Sequence, residues 1–179
     1  IIAVIDSGID YNHQDLKLNI WLNDDPVGGG DQDLNGYVDD YQGWDFVGIG
    51  DNDPMPMNAH GTQVAGVMGA EANTPLDYGI AGVNWSAQLM NLNVGPTNPN
   101  VANVTQAVDY AWKNGAHIIN MSLALPCSAQ SGCSATLRNA INAAGDRDVI
   151  VIAAAGNDGT NVDDPNYPGK VPVNYDLPN

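Results

Sequence analysis

Positive charge is nearly absent from this sequence. Its 179 residues include only 5 Lys and Arg against 21 acidic residues, a formal net charge of −16. Between Lys17 and Lys113 there is no basic residue at all. Glutamate is as scarce, with Glu71 standing alone beside 20 aspartates. Charged residues of both signs make up 15%, against a usual share of about 25%. So acidic a surface repels phosphate backbones and anionic headgroups, which excludes nucleic acid and membrane surfaces as expected partners. No apolar run reaches the roughly 18 residues that a spanning helix needs. The 44% apolar content, in turn, argues against a disordered chain. A charge balance this lopsided calls for bound cations, or for salt that screens the self-repulsion.

Cysteine is also rare. Cys127 and Cys133 lie in the segment PCSAQSGC, a spacing that fits neither a zinc knuckle nor a C-x-x-C redox motif. A local disulfide closing a small loop, and with it an oxidising compartment, is the favoured reading. Two unpaired thiols in a surface loop are the alternative. Ile1–Ile5 reads as a core strand rather than as a signal peptide or a natural N-terminus. The length suits one domain with a real core.

The pattern along the chain is that of an α/β fold. Ile1–Ile5 is a β-branched run suited to a strand covered on both faces. It ends in the polar turn Asp6-Ser7-Gly8. Residues 23–58 are rich in Asp, Gly, Pro and Asn, with a short strand expected at Gly43–Val47. Thr62–Ala72 has small and apolar residues on all sides, as a buried helix would. Gln88–Val94 alternates apolar and polar residues and reads as a strand. Val101, Val104, Val108, Ala111 and Trp112 share a helical face, and Gly115 supplies the stop. His117–Leu123 reads as a strand, Ser134–Asp146 as a helix, and Val149–Ala155 as a last buried strand. Strands alternating with helices imply a mainly parallel central sheet with helices on both faces. Functional groups in such folds gather beyond the carboxyl ends of the strands, where Asp6, Ser122 and Asn157 fall.

Three positions there carry chemistry. Asp6 could be a plain turn residue, but a carboxylate there could also orient an imidazole. His60, in Asn58-Ala59-His60-Gly61-Thr62, opens the buried helix and is the available imidazole. Asn157 follows Gly156 at the end of the last strand, where its amide could donate to developing negative charge. Taken singly, each also fits a cap or a turn. Their joint position in one α/β frame sets them apart.

The segments VIDSGID, HGTQVAGVMGA, INMSL and AAAGND, in this order, strongly resemble the subtilisin-like serine proteases (subtilases). GVNW at Gly82–Trp85 and the insert GYVDDYQGWDFV are similar to the same family. The resemblance implies the subtilisin-like three-layer fold and a serine endopeptidase acting on polypeptides, stabilised by Ca2+ and secreted. It assigns Asp6 as orienting acid, His60 as general base and Asn157 as oxyanion donor. Ser122, Leu123 and Ala124 become the strand that pairs with substrate backbone, and Ala154, Ala155 and Gly156 a wall of the pocket for the side chain before the scissile bond. The family's G-T-S-M-A-type nucleophile motif does not occur, and none of Ser7, Ser86, Ser122, Ser128, Ser131 and Ser134 has that context. Residues 1–179 are therefore expected to be the N-terminal and central part of a peptidase domain. The serine, and the C-terminal part that would complete the fold, are expected outside it. Such a piece by itself should be inactive. The competing reading is a catalytically dead subtilase-like binding or calcium-binding domain. A smaller departure is Gln63, where the family usually has a second His.

The acidic insert has a reading of its own. Asp31-Gln32-Asp33-Leu34-Asn35-Gly36 matches D-x-D-x-N-G, the first half of an EF-hand-type calcium loop. Asp31, Asp33 and Asn35 would supply side-chain oxygens, Tyr37 a carbonyl, and Asp39 or Asp40 would close the shell. Gln42 stands where the bidentate Glu belongs. Nine aspartates between Asp24 and Asp53, with no base among them, favour calcium over a merely solvated loop. The family resemblance also implies a second calcium site at Asp15, although the segment Ala72–Gly79 matches its other half poorly. His13 and His117 read as structural.

Overall fold

The computed structural model describes residues 1–72, 79–96, 98–126, 134–159, 161–162 and 169–175. Its centre is a five-stranded, wholly parallel sheet of β1 (Ile2–Asp6), β2 (Gly43–Asp45), β3 (Leu89–Asn93), β4 (Ile118–Met121) and β6 (Ile150–Ala153), in the order β2-β3-β1-β4-β6. The first strand sits mid-sheet, with Val4 opposite Asn91 on one side and Asn120 on the other. Parallel neighbours need crossovers, and the helices α1 (His60–Gly69), α2 (Val101–Lys113) and α3 (Ala135–Gly145) lie within them.

Side-chain alternation along the strands divides the core between two faces. Val4 and Leu89 meet Ala65 of α1, with Ile9, Leu16 and Ile20, on one face. Ala3, Ile5, Met90, Leu92, Ile119 and Met121 meet Val104, Val108 and Tyr110 of α2 and Leu137 and Ile141 of α3 on the other. The result is three layers, as the alternation of elements implies. Each fully buried Leu or Ile here contributes about 1.5–3 kcal/mol of transfer free energy.

Local signals set the helix ends. The Asn100 side chain accepts the Ala102 N–H at 2.9 Å to start α2, and Gly115 at φ +80° follows its end. The helix read as Thr62–Ala72 begins earlier, at His60, and stops at Gly69.

Two strands differ from their sequence patterns. Residues of β3 are buried throughout, polar ones included. Asn91 is tolerated because its side chain accepts Ile9 N–H at 2.9 Å and donates to the carbonyls of Ile9 and Pro54, both at 3.1 Å. The strand read as a last buried one, β6, is half-covered: Ile150 and Ile152 are 60% and 50% exposed. It stands at the sheet edge, and α3 covers only its other face.

A small antiparallel pair, β5 (Leu125–Pro126) with β7 (Lys170–Val171), completes the described structure. Among the described residues, no helix is long and apolar enough to cross a membrane. Cys127 and Cys133, and most of the Ala72–Gly79 segment, lie outside the described residues.

Candidate active site

The carboxyl end of β1 carries Asp6, and the amino end of α1 carries His60. Fifty-four residues apart in sequence, they meet: His60 Nδ1 lies 2.7 Å from Asp6 Oδ1. Asp6 is buried, its side chain 4% exposed, whereas the His60 side chain is 53% exposed. One ring nitrogen is thus fixed on a carboxylate and the other is left on the open side. An imidazole held this way can take a proton from a hydroxyl and later return it. Asp6 Oδ1 also accepts the Ser7 N–H at 2.7 Å, while Oδ2 is buried without a partner.

Glycine makes the approach of α1 possible. A Cβ on Gly61 would lie 2.3 Å from the Gly8 carbonyl oxygen and 3.1 Å from Asp6 Oδ1. Ser7 and Asn58, which the sequence reading did not single out, lock the two elements together. Ser7 Oγ donates to Asn58 Oδ1 at 2.8 Å and accepts the Gly61 N–H at 3.1 Å. Asn58 Oδ1 accepts the His60 N–H at 2.9 Å, and its amide donates to the Pro96 carbonyl. The available signal was Asn two positions before His, a spacing that suits an Asx turn.

Asp6, Ser7 and His60 form one side of a cleft of about 270 Å³, and Ser122, Leu123 and Ala124 form another. These three residues follow β4 and extend beyond the carboxyl end of the sheet. Ala154, Ala155, Gly156 and Asn157 follow β6 at the same sheet end, all exposed, with Gly156 at φ +93°. They do not line this cleft. A larger cavity of about 470 Å³ lies at the β6 edge, walled by Ile150, Val151 and Pro172 and lined by neither Asp6 nor His60.

The Asp-rich loop is anchored to the α2 side of the core by Tyr37, whose ring packs edge-to-face on Trp44 and Tyr110, both at 5.0 Å. The expected metal residues separate into two groups. Asp31 accepts the N–H groups of Asn35 and Gly36, and Asp39 accepts that of Gly30, so both shape the turn. Backbone N–H donors hold the Asp39 carboxyl below its ordinary pKa. Asp33 and Asp40 instead converge with Asp25, their oxygens within 4.8 Å of one another. Burial pushes the Asp40 carboxyl up, against the hydrogen bonds from Tyr110, Asn35 and Asn23. Asp25 lies outside the D-x-D-x-N-G window, and nothing local in the sequence marks it.

Asp15, the other calcium expectation, is buried and accepts the Ile80 N–H at 3.2 Å. Gly79 packs directly against its carboxylate.

The family model described as the subtilase family matches residues 1–176. A thermophilic serine proteinase of Bacillus sp. (strain AK1) is 36% identical over 161 residues, covering 89% of this chain and 33% of that protein. Thermitase of Thermoactinomyces vulgaris is 34% identical over 171 residues, covering 93% and 50%. The crystal structure of the epidermin leader peptide processing serine protease from Staphylococcus aureus superposes with a TM-score of 0.68 at 26% identity. That match covers 98% of this chain and 44% of that one. The chain thus spans between a third and a half of the length of these relatives.

Proposed function

The chain belongs to the subtilase family, and on that premise we propose that it carries the acid and base of a secreted serine endopeptidase. The observation that carries the reading is the buried Asp6 carboxylate 2.7 Å from the Nδ1 of a half-exposed His60. With Nδ1 hydrogen-bonded to Asp6, Nε2 of His60 is the atom that takes the proton from a serine hydroxyl. The nucleophile adds to the peptide carbonyl, and His60 then gives the proton to the departing amine. Asp6 holds the ring in the required tautomer and stabilises the imidazolium that forms. The serine comes from polypeptide outside these 179 residues, together with the elements that cover the exposed face of β6. The share of each relative that the chain spans supports that reading.

Asn157 is the donor to the oxyanion. Its place beyond the end of β6 supports this role. Ser122, Leu123 and Ala124 align the substrate backbone along the cleft, and Ala154, Ala155 and Gly156 flank the side chain before the scissile bond. The substrates are polypeptides in an extracellular setting. A dead scaffold has no chemical need for a paired Asp6 and His60, which weighs against a pure binding domain.

The test is labelling of the full-length protein with a fluorophosphonate, followed by peptide mapping. The label should fall on one serine outside residues 1–179 and should disappear in His60→Ala. Absence of labelling, or labelling indifferent to His60, would overturn the proposal.

A further inference from the structure

The cleft beside Asp6 and His60 has two unlike walls. In the sheet, β3 and β4 flank β1, so the segments leaving their carboxyl ends flank Asp6. On the β4 side run Ser122, Leu123 and Ala124, half-buried and outside both β4 and β5. Among the described residues, none hydrogen-bonds to the backbone N–H or C=O of these three. An unpaired stretch of this kind can take an added peptide strand.

The β3 side is built differently. Gly95, Pro96, Asn98 and Pro99 line it. Proline has no N–H, so Pro96 and Pro99 cannot donate to a neighbouring strand. Gly95 at φ +109° and Asn98 at φ +47° lie outside the extended region, so the segment is no straight strand. Two further backbone groups are already spent. The Gly95 N–H goes to Asn93 Oδ1, and the Pro96 carbonyl accepts Asn58 Nδ2, both at 3.0 Å. Asn58 also accepts the Ser7 hydroxyl and the His60 N–H. One side chain therefore fixes this wall and the base together.

We infer that the cleft reads the backbone of its substrate from one side only. In an extended peptide the N–H and C=O of one residue point to one side, and those of the next residue to the other. Residues turned toward Ser122–Ala124 exchange hydrogen bonds with that stretch. Residues turned toward Pro96 and Pro99 meet proline rings instead. The substrates are thus polypeptides that can carry proline, or any amide without an N–H, at wall-facing positions and not at the positions between them. The inference rests on the reading of this cleft as the peptide site and adds to it the class of sequence accepted.

The experiment measures binding of a dye-labelled peptide to full-length His60→Ala protein by fluorescence anisotropy, so that no cleavage intervenes. The peptide is N-methylated at one residue at a time. Kd should rise at least about tenfold at every second residue and less than about threefold at those between, since a lost bond leaves a buried carbonyl bare. Replacing single amides by esters, which removes the N–H without adding bulk, should give the same alternation. Equal losses at successive residues, no losses at all, or no saturable binding of the unmodified peptide would overturn the inference. Fluorophosphonate labelling reads the peptidase chemistry separately. A labelled serine with uniform losses would keep the peptidase and sink the one-sided cleft, and alternating losses without a label would do the reverse.

Discussion

Gly61 lies so close to Gly8 that a Cβ on Gly61 would stand 2.3 Å from the Gly8 carbonyl oxygen. That contact sets how closely α1 approaches the end of β1, and therefore how His60 reaches Asp6. Gly61→Ala should push the helix start outward and break the 2.7 Å bond between them. A displacement of about 1 Å at a catalytic group costs about 10²-fold in rate. The full-length Gly61→Ala enzyme should therefore lose about that factor in kcat, with the fold intact by circular dichroism. Unchanged kcat would mean that the helix start is softer than this packing implies.

Asn157→Ala in the full-length enzyme should lower kcat by about 10²–10³ with little change in KM. This is the size of effect known for removing the oxyanion asparagine of a subtilisin. The asymmetry arises because the amide bonds most strongly once the carbonyl oxygen carries charge. Steady-state kinetics on a peptide substrate separate the two constants. A rise in KM at constant kcat would move Asn157 from the transition state to ground-state binding.

The Tyr11 hydroxyl donates to Asp53 Oδ1 at 2.9 Å. Burial first, then the Asp53 hydrogen bond and the Asp53 and Asp10 charges, push its pKa up to about 12. The folded chain thus holds this proton more tightly than the unfolded one. The resulting stability is fully present below the ordinary tyrosine value of about 10 and is lost as pH rises through about 12. Ultraviolet difference titration of the parent against Tyr11→Phe should show no tyrosinate from Tyr11 near pH 10 while the fold persists. An ordinary midpoint would mean that neither the burial of Tyr11 nor its Asp53 contact holds in solution.

Much of this arrangement is legible in the sequence because its signals are local. The β-branched run of β1, the helical face of α2 and the Gly115 stop all depend on residues within a few turns of one another. What was misread depends on distant neighbours. Asn91 is one of the polar residues of an alternating strand, and only the backbone of Ile9 and Pro54 makes its burial tolerable. The pairing of Leu125 with Val171 joins segments with no shared periodicity.

The candidate site divides in the same way. Asp6 and His60 stood out through family motifs, since no spacing rule joins residues 54 apart. Their supports, Ser7 and Asn58, are ordinary turn residues until the helix and strand ends are brought together. Asp25 joins Asp33 and Asp40 only through the folding of the loop, so a linear D-x-D-x-N-G window could not include it.

The most direct test of the Asp6–His60 pair as working acid and base is kcat/KM of full-length His60→Ala on a peptide substrate, measured beside the parent enzyme. A fall of about 10⁴–10⁶ is expected, the span known for losing the acid or the base of the subtilisin triad, with folding unchanged. A His60→Ala enzyme that kept the parent's activity would contradict it.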